Sequence, residues 1–491
     1  MDPVALQVML GALRSACDEM GAVLVRSAHS ANIKERRDSS TALFDHAGQL
    51  VMQAEHIPVH LGAMPSAVAA VLDEEHRPGD AWILNDPYRG GTHLPDITLI
   101  SPVFAGGALV GFAANRAHHA DVGGRTPGSM PADSRTLEEE GVVIAPSRLD
   151  EDLLADLAGR MRGPDQRRAD LRAQLAANRV GAARLAELAE RHGGDVLREA
   201  MAATLDYAER RTRARIADLP DGEHTADDVL EGIDGDLPLR VRATVSGDEL
   251  ELDFAGSADQ HDGNLNCPLA VTLSGCFFAV RVLADPDVPP NAGAWRPVTV
   301  RAPEGSLLNA RPPAAVAAGN VETSSRVADL VLAAFGRALG QGTMNNLTLG
   351  NDSFTYYETL GGGQGACPDA HGPSAVHVAM SNTLNTPVEA LELEFPLRAV
   401  EYAVRRGSGG AGRWRGGDGV VRELEALEPM QYSLITERRR HAPPGAAGGG
   451  PGAAGRNLLN REELPPKSAG SLRAGDRLRI ETPGGGGHGE A

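Results

Sequence analysis

The feature that most constrains this chain is the stretch from Asn85 to Gly124, NDPYRGGTHLPDITLISPVFAGGALVGFAANRAHHADVGG, which sets histidines and carboxylates at both ends of two apolar runs. Ile97 to Phe104 and Ala108 to Ala114 are rich in β-branched and aromatic residues, and Ala105-Gly106-Gly107 between them supplies a hairpin turn. The pattern predicts two adjacent antiparallel strands. With the turn centred near Gly106, facing residues have numbers that sum to about 212, which returns His93 and Asp96 beside His118 and His119. Three or four ligand-type side chains then meet at one end of a sheet. A divalent ion requires that convergence of imidazole and carboxylate donors, with one position left for water or substrate. A single His or Asp at a strand end is most often a turn or capping group, so the cluster carries the metal reading.

Upstream, residues 4 to 29 place Val4, Leu6, Leu10, Leu13, Met20 and Leu24 at helical spacing, which predicts an amphipathic packing helix. A second hairpin follows, with Thr41 to Phe44 and Gln49 to Gln53 flanking Asp45-His46-Ala47-Gly48. In that register Asp38 faces Glu55 or His56, and His60 lies close by, making a second ligand-rich patch. The run Lys34-Glu35-Arg36-Arg37 reads equally as a solvated face or as basic groups suited to an anionic substrate. A helix is expected near Ala63 to Glu75, broken by Pro78-Gly79-Asp80 before a strand from Ala81 to Leu84. After Gly124 the weakly periodic segment RTPGSMPADSRTLEEEGVVIAP reads as an ordered loop over the site.

From Leu153 to Ala217 the pattern is strongly helical, with Leu171, Leu175, Leu185 and Leu188 among Arg, Glu and Ala. It predicts a helical hairpin with charged outer faces, usable as a subunit contact, with Asp195 as an N-cap. Past Pro220 the period changes to two through Val241, Ala243 and Val245, then again through Leu250, Leu252 and Phe254. A β-rich part begins there, holding a helix that starts near Thr323 and a glycine-rich bend in YYETLGGGQGA that lacks the spacing of a P-loop or a dinucleotide fingerprint. His377, Asn382, Asn385 and Glu389 form a polar series that reads as pocket lining or as ordinary turn and capping groups. The expected class is α+β, with mixed β-sheets and hairpins, a helical insertion and more than one domain. The expected divisions are a metal-binding part over 1–150, a helical segment over 151–220 and a β-rich part over 221–491.

A chain of 491 residues accommodates two or three domains, and 58 Gly and 32 Pro predict long loops. The net charge of −19, with no basic stripe interleaved with aromatics, argues against nucleic acid as a partner. Cys17, Cys267, Cys276 and Cys367 form no CxxC pair, which fits a reducing cytoplasm. The N-terminal residues lack the basic region and apolar core of a signal peptide, and no run of about 18 apolar residues occurs, so neither export nor membrane spanning is expected.

Several longer motifs carry a resemblance. ERRDSSTALFD, HIPVHLGAM, NDPYRGGTHLPDITLISPVF, ANRAHHADVGG, GNVETSSRVADLV, YYETLGGGQGA, NTPVEALELEFPL, GGDGVVREL and ETPGGGGHG together resemble the hydantoinase B/oxoprolinase B family over nearly the whole chain. These are B-type subunits of ATP-dependent hydantoinases, oxoprolinases and lactamases, similar also to the α subunits of acetone and acetophenone carboxylases. The resemblance implies a divalent metal (Mn, Zn or Fe) at the positions of His93, Asp96 and His118, with Asp38 as a further ligand. It also implies a hydantoinase A-type ATPase partner that phosphorylates the substrate. This sequence departs from the family pattern at VHVAMSNT, where Ala379 stands in place of a histidine, so no role is carried onto that segment.

The implied reaction is ring opening of a cyclic amide such as a hydantoin, 5-oxoproline or a lactam. The partner phosphorylates the amide oxygen, and a metal lowers the pKa of water from about 15.7 toward about 7 for attack. His119 or Asp121, next to His118, would accept the proton or orient a ligand imidazole. The alternatives are a subunit of an acetone- or acetophenone-type carboxylase, or a non-catalytic scaffold for the ATPase.

Overall fold

Small and β-branched residues in two-residue alternation build the sheet that carries the ligand-type cluster. The computed structural model describes residues 2–55 and 57–491. The first sheet comprises β1 (Ser39–Asp45), β2 (Leu50–Glu55), β3 (Trp82–Leu84), β4 (Asp96–Ala105), β5 (Ala108–His118) and β6 (Ser147–Arg148). Their order is β2-β1-β5-β4-β3-β6, antiparallel at every step.

Both expected hairpins form. Gly106 and Gly107 take φ of 58° and 82°, the pair of positive values that a tight two-residue hairpin turn demands. The register differs from the predicted one. The turn is centred between the two glycines, and a bulge at Val103/Phe104 leaves an extra residue on β5, so Asp96 faces His118 where the predicted register set Arg116. In the other hairpin Glu55 pairs with Ser40 and not with Asp38, and the His56 alternative lies outside the described residues.

Helix α1 (Pro3–Ser27) is capped by Asp2, whose carboxylate accepts from the Ala5 amide at 3.1 Å. The short α2 (Ala31–Lys34), α3 (Ala63–Ala69) and α4 (Leu137–Glu140) follow, α3 ending well before the expected Glu75. Next come α5 (Glu151–Gly159), α6 (Pro164–His192) and α7 (Gly194–Ile216). Gly193, not Asp195, stands at the N-cap of α7, and Asp195 lies in its first turn. The long α6 packs on α1 and on one face of the sheet, burying Leu13, Met20, Leu43, Ala113, Ala117 and Leu185. The helices approach so closely that a Cβ on Gly181 would lie 2.3 Å from the Met20 sulfur.

A polar seam holds α6 in place. Gln174 Nε2 donates to the Ile97 carbonyl at 2.9 Å and to Asn115 Oδ1 at 2.8 Å, and Asn178 Nδ2 donates to the Leu99 carbonyl at 3.0 Å. Buried amides of this kind are costly unless paired, so the seam admits one seating of the helix.

The second sheet, β10-β9-β8-β7, contains β7 (Gly222–Glu231), β8 (Asp236–Ser246), β9 (Glu249–Asp253) and β10 (Val298–Arg301). The alternating Val241, Ala243, Val245, Leu250, Leu252 and Phe254 all face its core. Against it lies α10 (Ser324–Ala334), which packs in turn on α8 (Leu269–Leu283), with α9 (Ala292–Trp295) between the two helices in sequence and a π-helical turn, Gly319–Thr323, leading into α10. The third sheet consists of β11 (Asn346–Gly350), β12 (Thr355–Glu358), β15 (Met430–Ile435) and β18 (Lys467–Leu472). A fourth joins β13 (Leu397–Arg405), β14 (Gly419–Ala426), β16 (Arg456–Leu459), β17 (Glu462–Leu464) and β19 (Arg477–Glu481), with α11 (Val388–Glu394) beside β13. The architecture is therefore α+β with several sheets. Among the described residues no helix is long and apolar enough to cross a membrane.

Gln174→Ala should lower stability by about 1–3 kcal/mol, because it strands the Ile97 carbonyl and the Asn115 amide in the interior. Chemical denaturation measures this; a change below about 0.5 kcal/mol would show that the seam is not needed to seat α6.

Candidate metal centre

Successive side chains on a strand point to opposite faces, and this parity builds the site. On β5 the odd positions Asn115 and Ala117 face α6, whereas Arg116 and His118 face the other way, as do Asp96 and Thr98 on β4 and Ser40 on β1. Asp38, just ahead of β1, shares that face, and its carbonyl accepts from the His118 amide at 3.0 Å.

His93 Nε2, Asp96 Oδ1 and His118 Nδ1 form a triangle with all three separations at 3.2 Å. A tetrahedral ion bonded at about 2.0–2.1 Å spaces neighbouring ligand atoms by roughly 3.3 Å, so the set fits a small divalent cation. All three residues are buried, and among the described residues they are the one group of His, Cys, Asp and Glu close enough to share an ion. Burial raises the Asp96 carboxyl, but the surrounding imidazoles outweigh it and hold it well below the usual carboxylate range. Burial pushes the His118 imidazole down to about 4 despite the opposing pull of Asp96. Asp96 is thus anionic and His118 neutral, the forms that bind metal.

The other oxygen of Asp96 is fixed from several sides. Thr92 Oγ1 donates to Oδ2 at 2.6 Å, Asn320 Nδ2 lies at 3.5 Å, and His60 Nε2 lies at 3.5 Å while its Nδ1 meets Ser40 Oγ at 2.8 Å. Asp38 lines the same cavity, and burial pushes its carboxyl up to about 7 against the pull of Arg36, 3.9 Å away. Space for a water-sized body there is about 20 Å³, room for about one water.

The opposite wall comes from the third sheet and its neighbours. Tyr357 stacks on the His118 ring, centroids 4.6 Å apart and planes 14° from parallel, and the Arg36 guanidinium lies 4.6 Å from the same Tyr357 ring. Tyr357 Oη donates to Asn346 Oδ1 at 2.5 Å, and Asn346 Nδ2 donates to Glu322 Oε1 at 3.0 Å. Thr359, Ser381, Asn382 and Thr383 complete this side, while Ile57, Val59, Val321 and Met344 supply apolar surface.

His119 and Asp121 do not line the cavity. His119 turns to α6, its Nε2 2.9 Å from Gln174 Oε1, and burial pushes it down to about 4. Asp121 accepts from the Gly123 and Gly128 amides at 2.7 and 2.8 Å and from Arg162 at 3.0 Å, tying down the loop beyond β5. Of the polar series, Asn382 lines the cavity, Asn385 braces Glu358 and the Thr359 carbonyl, and His377 bonds Ser381. The Lys34 to Arg37 run divides: Lys34 and Arg37 are exposed and Arg36 is buried. Tyr357, Thr359, Thr383 and Asn320 escaped the sequence reading, since each sits in an apolar or turn context with no local ligand pattern.

The hydantoinase B/oxoprolinase family matches residues 2–491. The chain is 40% identical to 5-oxoprolinase 1 of Arabidopsis thaliana over 99% of its own length and 42% of that protein, so it spans about two fifths of that relative. It is 31% identical to the B-type component of a D-/L-hydantoinase from a Pseudomonas species, covering 100% of this chain and 90% of the relative. Among solved structures it is similar to the ATP-dependent caprolactamase of Pseudomonas jessenii, with a TM-score of 0.93, 29% identity and coverage of 100% and 91%. An acetone carboxylase shares the fold, with a TM-score of 0.86 at 18% identity over 99% of this chain and 76% of that one.

Two outcomes are expected. His93→Ala and His118→Ala should each weaken binding of a divalent metal at least about tenfold, read by elemental analysis and titration; metal content equal to the parent's would remove the assignment. Burial, with a smaller contribution from Glu437, pushes the Glu322 carboxyl up to about 8 from an ordinary 4.5. The unfolded chain therefore releases this proton first, and stability is lost as pH rises across that window. Relative to the parent, Glu322→Gln should be more stable at about pH 8 than at about pH 5 in denaturation experiments, and a pH-independent difference would contradict the shift.

Proposed function

The chain belongs to the hydantoinase B/oxoprolinase family, and on that premise we propose that it is the hydrolytic subunit of an ATP-dependent cyclic amide hydrolase. The observation that best supports this is the convergence of His93, Asp96 and His118, with Asp38 beside them, on a buried cavity with room for about one water. A hydantoinase A-type ATPase on another polypeptide would phosphorylate the amide oxygen of a hydantoin, 5-oxoproline or lactam. Resonance makes an amide carbon a poor electrophile, and phosphorylation of the oxygen removes that protection. Water then adds to the activated carbon and the ring C–N bond breaks as the nitrogen takes up the protons, leaving an acyl phosphate that a second water hydrolyses to carboxylate and phosphate.

The chemistry that a divalent Mn, Zn or Fe ion supplies when bound by such a set is Lewis acidity, which polarises oxygen and makes water a competent nucleophile at neutral pH. The chain's own residues hold and shape the site. His93, Asp96 and His118 are the ligands in this reading, and Asp38 is the fourth. Thr92 and Asn320 fix the free oxygen of Asp96, and Tyr357 sets the plane of the His118 ring. His119 and Asp121, both off the cavity, act as positioning residues: the first anchors the end of β5 to α6, the second holds the loop that follows. The apolar wall of Ile57, Val59, Val321 and Met344 excludes bulk water from the activated substrate. In this reading the chain works in the cytoplasm, where ATP is available to the partner.

The chain purified with its ATPase partner should open at least one of hydantoin, 5-oxoproline and caprolactam in an ATP-dependent manner, and His118→Ala should lower kcat at least about 100-fold. Bicarbonate-dependent ATP turnover on acetone or acetophenone, without ring opening, would transfer the reading to a carboxylase subunit. ATPase activity of the partner that needs this chain but not its His118 would instead indicate a scaffold.

A further inference from the structure

Arg36 is fully buried and does not line the cavity, yet its guanidinium is spent on residues that do. Its Nη2 donates to Thr359 Oγ1 at 3.0 Å and to Thr383 Oγ1 at 3.2 Å. Its Nη1 donates to the Tyr357 carbonyl at 3.2 Å. The two threonine oxygens are themselves 2.6 Å apart.

A count of protons gives the consequence. Each hydroxyl carries one hydrogen and two lone pairs. Both oxygens accept from Arg36, so one lone pair on each is taken. The contact between them consumes one hydroxyl hydrogen. Whichever threonine accepts in that contact has filled both lone pairs and keeps its own hydrogen, for which no acceptor is found among the described residues. The pair therefore presents one O–H donor, and both residues line the cavity that holds His93, Asp96 and His118. A donor whose oxygen accepts from a cation and from another hydroxyl is polarised and binds an oxygen acceptor more strongly than an isolated hydroxyl.

We propose that Thr359 and Thr383, primed by Arg36, form a substrate-contacting hydroxyl pair that donates one hydrogen bond to a carbonyl or phosphoryl oxygen of the substrate. This rests on the hydrolase reading above and deepens it. The ligand set acts on the water, and the threonine pair acts on the carbonyl oxygen of the acyl phosphate, which gains negative charge as the second water adds. A donor fixed in advance at such a position stabilises the transition state more than the ground state. The two threonines are interchangeable as donors, because removal of either leaves the other with its hydrogen free.

The test uses the full chain with its ATPase partner and whichever ring wild type opens. Thr359→Val/Thr383→Val should lower kcat about 100-fold, with KM changed less than about threefold and metal content unchanged. Each single valine variant should lose less, the two losses should not multiply to that of the double variant, and Thr359→Ser/Thr383→Ser should stay within about threefold of wild type. If the double valine protein does not fold, Thr359→Ala/Thr383→Ala replaces it with the same expected loss. A double variant within about threefold of wild type, or a serine pair as impaired as the valine pair, overturns the proposal. A second arm needs neither partner nor turnover. Inorganic phosphate titrated calorimetrically into the manganese-loaded chain should bind at least about tenfold more weakly to the double valine variant. Equal affinity, or no phosphate binding to wild type, overturns the proposal. A wild-type complex that opens none of the rings removes the hydrolase reading, and the phosphate arm still decides the threonine pair.

Discussion

The pairing of β5 with β1 on one side and β4 on the other is the constraint on which the rest depends. Because side chains alternate, that one register sets Asp38, Ser40, Asp96, Thr98, Arg116 and His118 on a common face. A slip of one residue would turn His118 toward α6 and deliver His119 to the cavity. Nothing in the adjacent pair of histidines distinguishes them chemically; the amide seam of Gln174 and Asn178 does, by accepting only the odd-numbered side of β5. The helix on one face of the sheet therefore determines which histidine faces the cavity on the other.

The parts of the molecule that are legible in the sequence are those whose cause is local. The two hairpins follow from apolar runs and glycine turns, and the convergence of His93, Asp96 and His118 follows from folding one hairpin on itself. The register was displaced because the sequence carries no sign of the bulge at Val103/Phe104, an irregularity that packing imposes. Likewise LAVTLSGCFFAVRVL is apolar almost throughout, and such a run reads as strand or helix alike; the structure makes it the buried helix α8, inside a part read as β-rich. Asp195 resembled a cap by type, but the helix break at Gly193 sets where α7 starts.

The far wall of the cavity was illegible for a different reason. Arg36 meets Tyr357, Thr359 and Thr383 across 321, 323 and 347 residues of sequence, and no pattern within a window of ten or twenty links them. The basic run around Arg36 shows how far context overrides residue type. Lys34 and Arg37 take the solvated role, while Arg36 between them is buried with its charge answered by a carbonyl, two hydroxyls and an aromatic face. These contacts, with the Asp38 carboxylate 3.9 Å away, offset the cost of burying the guanidinium and tie the first sheet to the third at this point.

The two halves of the cavity differ in what holds them, and that difference bears on how the site can take an occupant. Space for about one water is smaller than any ring of amide substrate, so a larger occupant must displace part of the wall. On the ligand side Asp96 and His118 sit in paired strands, so moving them breaks a ladder, and the Tyr357 stack and the Asn346 and Glu322 bonds behind it resist rotation of His118. On the other side Ser381 and Asn382 belong to an irregular segment held by scattered hydrogen bonds, while Thr383 next to them is anchored by Arg36 and Thr359. Segments with few ladder bonds move at lower cost than paired strands. The wall that can yield is thus the part at Ser381 and Asn382, and the ligand geometry and the threonine pair are preserved while it does so.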